Sequence, residues 1–339
     1  MDENHLKPEK VTIKTVAEDA GVSVAAVSKV MRNAYGVSDK LRQKVTTSID
    51  RLGYRPSSAA RGMRGQTYTV GILMDNLRNP FLPEVIEGMN QHLGDMNFKS
   101  MLGVGRAAGK VEQSLVDSMI DFQMDGLLLV ATRLSGKLLD TLAGQIPLVV
   151  VGHHEPTAGR FDTVNSDDVL GARMAVEALI AKGHKSIDMI SLKAASHPDL
   201  DVYTQREIGY TAAMTEAGLA GHIRIHHFED VNKRQPGVID DILVRPDRAS
   251  AVFCWSDLDA IELINKARLR GISVPEDLAI VGYDNSPVAG LPLIDLASID
   301  QHGDQLGSIA AKTLLSRIKG RRQAEHILVQ PHLVERSSL

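Results

Sequence analysis

From Tyr68 onward, short apolar runs alternate with helical patterns, and this alternation constrains the fold more than any other feature of the chain. "TVGILM", "SMLGVG", "DGLLLV", "IPLVVVG", "SIDMISL", "SAVFCW" and "LAIVGYD" read as buried strands by length and apolar content. Helical stretches separate them: one from Pro83, one near residues 111–123, then 171–181, 205–217, 258–269 and 305–319. Strands alternating with helices imply parallel sheets covered on both faces. A region of about 270 residues is large for one such layer, so two Rossmann-like lobes are expected. No internal repeat interrupts it.

The first 52 residues have a different texture. Thr12 is placed to cap a helix in which Ile13, Val16, Ala17 and Ala20 share a face, and Gly21 stops it. Ser23 caps a second pattern, with Val24, Val27 and Val30 or Met31 as its stripe. Ser38 caps a third, with Leu41, Val45, Ile49 and Leu52, and Gly53 ends it. Helix, short glycine turn and helix is the outline of a helix-turn-helix. Charge agrees: residues 1–65 hold 12 basic and 7 acidic residues, and the remainder holds 26 and 35. A basic head on an acidic body is expected to meet a polyanion. The single cysteine, Cys254, allows no internal disulfide. The charged first residues show no secretory signal and no apolar run is long enough to span a bilayer, so a cytoplasmic protein with no membrane partner is expected.

"VTIKTVAEDAGVSVAAVSKVMRN", "VSDKLRQKV" and "LGYRPSSAARGMR" together resemble the head of a LacI/GalR-type bacterial transcription regulator. In the body, "NPFLPEVIEGM", "VNSDDVLGARMAVEALIAKGHKSI", "RPDRASAVFCWSDLDAIELINKARLRGISVPEDLAIVGYDN" and "ASIDQ" follow in the family's order. The resemblance covers roughly Val11 to Ser337. It implies an α/β protein with a helix-turn-helix head over 1–56, a hinge helix over 57–66, and an effector-binding and dimerisation body over 67–339. The body would be periplasmic-binding-protein-like, with one lobe over about 67–163 and 298–330 and the other over about 164–297. The chain would cross between lobes near 162–166, 284–291 and 298–301, the tail returning to the first lobe. The implied function is a sequence-specific regulator, a repressor acting as a homodimer on palindromic operator DNA under a sugar-like small molecule. The alternative is a solute-binding protein without DNA binding.

The resemblance also assigns residues. Val24 and Ala25 take the main base-reading positions, where their apolar side chains can contact a thymine methyl but make no bidentate bond. Lys29 takes a basic position suited to guanine O6 or N7. Thr12, Ser23, Ser28, Ser38 and Tyr54 suit phosphate oxygens. Arg32 stands where asparagine is common and adds a charge. In the hinge, Ala60 and Ala59 are small enough for close helix pairing and Met63 takes the place of the minor-groove wedge, usually leucine. Two turns interrupted by Gly62 are too short to be helical alone. For the effector, Arg206, Asp257 and Asp284 match family positions, while Asp75 and Asn76 follow the first strand, Phe81 comes soon after in "NPFL", Trp255 lies beside Asp257, and Gln301 sits in the last crossover. Carboxylates, an arginine and aromatic faces suit a sugar, polyol or sugar acid. Ser256 and Gly152 depart from the family's asparagine and aspartate, and His153 or His154 could supply the polar group missing at Gly152.

Enzyme signatures are absent: there is no HExxH, Walker loop or GxSxG, and "GVGR" at Gly103 is too short for a dinucleotide fingerprint. The His pairs at 153–154 and 226–227 lack further ligands at metal spacing, so neither a metal nor a cofactor is expected.

Overall fold

The computed structural model describes residues 11–31, 34–55, 66–106, 108–193, 201–228 and 237–339. Arg32, Ala60 and Met63 lie outside these residues, as does the expected hinge apart from Gln66. The chain divides into two compact units, Met1–Thr67 and Tyr68–Leu339.

The head has three described helices, α1 (Ile13–Asp19), α2 (Val24–Met31) and α3 (Asp39–Leu52). Each starts on a hydroxyl cap. Thr12 accepts from the Thr15 N–H while the Thr15 hydroxyl accepts from the Thr12 N–H, a reciprocal capping box. Ser23 accepts from Ala26 and Ser38 from Leu41. Gly21 turns the chain between α1 and α2 at φ 57°, a left-handed backbone that suits glycine. Val16, Ala17, Ala20, Val27, Val30 and Val45 form the small core. Val24, expected on that stripe, is instead 39% exposed. It stands on the first turn of α2, one helical turn before the buried Val27.

The body contains two six-stranded sheets. The first lobe runs β1 (Thr69–Met74), α4 (Phe81–Asp95), β2 (Lys99–Val104), α5 (Gly109–Asp121), β3 (Gly126–Val130), α6 (Gly136–Ala143), β4 (Leu148–Val151) and β5 (Asp162–Ser166). The second runs α7 (Asp168–Ala181), β6 (Ile187–Leu192), α8 (Val202–Glu216), β7 (Arg224–Phe228), α9 (Val238–Val244), β8 (Ala251–Cys254), α10 (Asp257–Leu269), β9 (Ala279–Asp284) and β10 (Ala297–Asp300). The chain then returns for α11 (Gly303–Ile318) and β11 (His326–Val329), and ends on β12 (His332–Val334). Strand order is β11-β5-β4-β3-β1-β2 in one sheet and β12-β10-β9-β8-β6-β7 in the other. All pairings are parallel except β10 with β12. Alternate residues of each strand feed separate apolar clusters on the two sheet faces, so Ile72 and Met74 pack on one side and Leu73 on the other.

Two of the expected crossings, near 162–166 and near 298–301, are found, and the third is corrected. The chain passes between lobes after β5, after β10 at Gln301–His302, and after β11 at Gln330–Pro331. The segment 284–291 does not cross. β9 and β10 pair in the same sheet with Asp284 opposite Asp300, and Ala289 and Leu296 of the intervening loop are core residues of the second lobe. β10 and the tail therefore belong to the second lobe, where Ile280 donates to the Ser338 carbonyl and Ala297 to the Ser338 hydroxyl.

α4 and α11 pack backbone to backbone over the first sheet. A methyl group on Gly88 would lie 2.0 Å from the Asp304 carbonyl oxygen, and one on Gly307 1.9 Å from that of Val85. Glycine at both positions sets where α11 begins, and so where Gln301 and His302 stand.

Candidate functional site

On the head, Ser23, Val24 and Ala25 are exposed together at the start of α2, and Lys29 is exposed one turn on. Thr12 and Ser38 are exposed at the other two helix starts, where backbone N–H groups and the positive end of the helix dipole favour an anion. Ser28 is half-buried. Tyr54 packs its ring against the head's core. One cation is spent internally: Arg51 pairs with Asp19, which also accepts from Ser48. Tyr35 is fully exposed in the turn before α3, and nothing in the sequence pattern singled it out.

In the body, a cavity of about 350 Å³ opens between the lobes at the carboxyl ends of the strands, the usual ligand position in open α/β sheets. Asp75 and Asn76 follow β1, Trp255 follows β8, Asp284 ends β9 and Gln301 follows β10; Phe81 and Arg206 come from α4 and α8, and all seven line the cavity. Asp257 does not. Its Oδ2 accepts from the Ser286 N–H at 2.7 Å and the Ser286 hydroxyl at 2.9 Å, and its Oδ1 accepts from Ser298 at 2.6 Å. It fastens the loop between β9 and β10, and burial pushes its carboxyl up to about 6. Asp259, two residues on, lines the cavity instead.

The polar groups form two chains that bridge the lobes. Arg206, almost fully buried, donates through Nε to Asp168 Oδ1 at 2.7 Å and through Nη1 to the Trp255 carbonyl. Its guanidinium lies 3.6 Å from the centre of the Tyr283 ring. The other Asp168 oxygen shares a 2.8 Å hydrogen bond with His154, which belongs to the first lobe. Burial alone would raise Asp168, but the Arg206 charge and the His154 bond outweigh it and hold the carboxyl below its usual range. In the second chain, Asp284 accepts from Gln301 Nε2 at 2.6 Å and from Asn79 Nδ2, of the first lobe, at 3.0 Å. Burial pushes Asp284 up to about 8, against the pull of Arg206, 4.0 Å away. Its backbone is left-handed, φ 115°, a strained state for a branched polar residue.

Arg133 stands 3.7 Å from Asp75, with Tyr203 and Asp201 of the second lobe close enough to raise its affinity for its proton against the effect of burial. Trp255 lies edge-on to Tyr203 at 6.3 Å, and its indole N–H is buried without an acceptor among the described residues. A bound oxygen would satisfy it.

Asn79, Arg133, Asp168 and Tyr203 escaped the sequence reading. Asp168 has the look of an ordinary first-turn acid, and the others carry no local pattern. Of the two histidines near Gly152, His154 reaches the site and His153 turns to Glu155 at 2.9 Å. Gly152 and His153 both donate to Asn165 Oδ1 at 2.9 Å, which holds this loop against β5.

Residues 12–57 match the family model described as bacterial regulatory proteins, lacI family, and residues 176–339 match the periplasmic binding protein-like domain. The chain is 32% identical over 332 residues to the ribose operon repressor of Haemophilus influenzae, covering 97% of this chain and 98% of that one. It is 28% identical over 335 residues to the HTH-type transcriptional repressor PurR of Photobacterium profundum, covering 97% and 98%. Among solved structures, the transcriptional regulator CelR–cellobiose complex superposes with a TM-score of 0.71 at 27% identity, covering 97% of this chain and all of that one.

Proposed function

This chain belongs to the lacI family of bacterial regulatory proteins, and from that premise we propose that it is a homodimeric repressor whose interlobe cavity takes a small polyhydroxyl effector. It is a DNA-binding transcription regulator by family. The relatives are transcriptional repressors, and the reading here is that the chain has no catalytic activity and works in the cytoplasm on a palindromic operator.

The observation that carries the effector reading is the cavity's mixture of fixed donors, fixed acceptors and aromatic edges. Arg206, Asn79 and Gln301 offer N–H groups, Asp284 and Asp75 offer carboxyl oxygens, and Phe81, Tyr203 and Trp255 supply flat apolar surface. Paired hydroxyls need donor and acceptor side by side, and a sugar ring face needs an aromatic wall. The cellobiose held by the CelR structure is of the same chemical kind.

On the DNA side, α2 enters the major groove with Val24, Ala25 and Lys29 toward base edges, and the caps Thr12, Ser23 and Ser38 meet phosphates with Ser28, Arg32 and Tyr54. Ala60 and Met63 would pair and wedge the minor groove. Signal passes because Asn79–Asp284 and His154–Asp168 each join one lobe to the other. An effector that reorganises these bonds changes the angle between lobes and with it the separation of the two hinges. Such coupling is reciprocal, so operator DNA changes effector affinity by the same factor.

A thermal-shift screen against sugars, sugar acids, polyols and nucleobases tests the reading. A cognate ligand at a hundred times its Kd adds about 2.7 kcal/mol of stability. A shift by nucleobases with none by any polyhydroxyl compound would reverse the assignment.

A further inference from the structure

The strands that cross between the lobes carry a cluster the effector cavity does not use. Asp300 ends β10, and His332 opens β12 directly opposite it across the antiparallel pair. His302 follows Gln301 at the crossing into the first lobe and precedes α11. Its backbone is left-handed, φ 56° and ψ 62°, uncommon outside glycine. That conformation folds the residue back on the strand end. Its N–H donates to Asp300 Oδ1 at 2.7 Å, and its ring stacks on His332 with centroids 4.7 Å apart. The facing ring nitrogens, Nε2 of His302 and Nδ1 of His332, are 3.1 Å apart, and Nδ1 of His302 is 3.9 Å from Asp300 Oδ1. One ligand atom from each residue lies within 4.8 Å of the others.

We propose that Asp300, His302 and His332 bind a divalent first-row transition-metal ion, of which Zn²⁺ is the natural probe, at the crossing between the lobes. Two imidazoles with one carboxylate suit Zn²⁺, Co²⁺ or Ni²⁺, whereas Ca²⁺ and Mg²⁺ want oxygen ligands throughout. The two ring nitrogens already lie 3.1 Å apart, and an ion would replace the hydrogen bond between them. The near-parallel stack, 27° between planes, does not itself aim both lone pairs at one point. His332 is exposed, so its ring turns into line, and the same exposure leaves the remaining coordination positions to water. The carboxylate is already held: Asp300 Oδ2 accepts from Asn285 Nδ2 at 2.9 Å, and Asn285 Oδ1 accepts from Arg336 at 2.7 Å. Such outer bonds fix a ligand's orientation.

The site is joined to the cavity through one residue. Gln301 lies between two of the ligands and donates to Asp284 at 2.6 Å. An ion that pins Asp300 to His302 therefore pins Gln301, and metal and effector alter each other's affinity. In the absence of effector, the ion's binding stands apart from what that effector is.

The test uses the full-length protein, stripped with chelator and titrated with Zn²⁺ by calorimetry and with Co²⁺ by visible absorption. One ion per chain is expected, and His302→Ala and His332→Ala should each weaken binding roughly tenfold or more. His332 is exposed, so its variant keeps the fold, which a thermal melt without metal verifies. His226→Ala, at a histidine bonded to Asp188 on the outer strand β7, should bind as the wild type does. Failure of the wild type to bind either ion at about 0.1 mM, or binding that survives both substitutions, would overturn the proposal.

Discussion

Arg206 is the residue on which the body's charge balance turns, and replacing it by methionine tests that directly. Methionine keeps an unbranched stem of similar reach and removes the guanidinium. Asp168 is then left 1% exposed with the His154 bond still holding it, and Asp284 loses the positive charge 4.0 Å away. Breaking one side of a buried ion pair costs about 3–5 kcal/mol, because the other charge stays desolvated. At about 2–4 °C per kcal/mol for a domain of this size, Tm should fall by roughly 10 °C. Adding Asp168→Asn to the Arg206→Met chain removes the stranded charge while keeping an acceptor for His154. That double variant should regain about 1–3 kcal/mol over the single one. Urea unfolding followed by circular dichroism measures both. Trp255 fluorescence gives a second probe, since this only tryptophan sits 5.9 Å from the guanidinium. An Arg206→Met chain within about 1 kcal/mol of the wild type, or a double variant whose losses simply add, would refute the account of a charge-balanced bridge.

Asp284 makes a pH prediction. The folded protein keeps its proton to about pH 8 because of burial, while the unfolded chain releases it near 3.8. This group's contribution is therefore fully present below pH 4 and lost as pH rises toward 8, with Arg206 and Asp257 the charges that face it. Denaturant midpoints across that range should fall in the wild type and stay flatter in Asp284→Asn; parallel curves would remove Asp284 from the explanation. Lys29→Ala should lower discrimination at one base pair of each half-site by about 1–3 kcal/mol in a binding-site selection experiment, and a uniform loss at every sequence would make Lys29 a phosphate contact. Gly307→Ala drives a methyl group onto the Val85 carbonyl, 1.9 Å away, and should cost about 1–3 kcal/mol or more in a thermal melt; a neutral effect would mean that α4 and α11 separate easily.

The strands legible in the sequence are β1, β2, β3, β4, β6, β8 and β9, each carrying a run of apolar residues. The strands that escaped are DTVNS, RIHHF, ASID, HILV and HLV, which are polar or only three to five residues long. β5 is buried throughout and β10 almost throughout because tertiary partners satisfy their polar residues. Asp162 in β5 is held by Arg317 at 2.6 Å and Arg321 at 2.7 Å, more than 150 residues away. Ser298 in β10 donates to Asp257, and Asn165 is taken up by the turn at Gly152. No local window contains both members of such a pair. The same reasoning explains the sites. Residues at strand ends, such as Asp75, Trp255 and Asp284, are readable because the alternation fixes where strands stop. Asp257 looked equivalent to them and is not, since whether an acid points into a cleft or under a loop depends on Ser286 and Ser298, which the spacing does not reveal.

What escaped the sequence is concentrated where the lobes meet. Asn79 meets Asp284 and His154 meets Asp168, each pair brought together across the two lobes. A regulator needs its bistable contacts there, since bonds within a lobe move with it as a rigid body and report nothing about the angle between lobes. Gln301 is both a crossing residue and a cavity residue, with its side chain on Asp284 and its backbone leading through His302 into α11. A change in the cavity that displaces Asp284 must therefore pull on the start of the helix that Gly88 and Gly307 lock against α4. The glycine packing makes that pull a movement of the whole first lobe rather than of one loop, which is what control over a separate DNA-binding head requires.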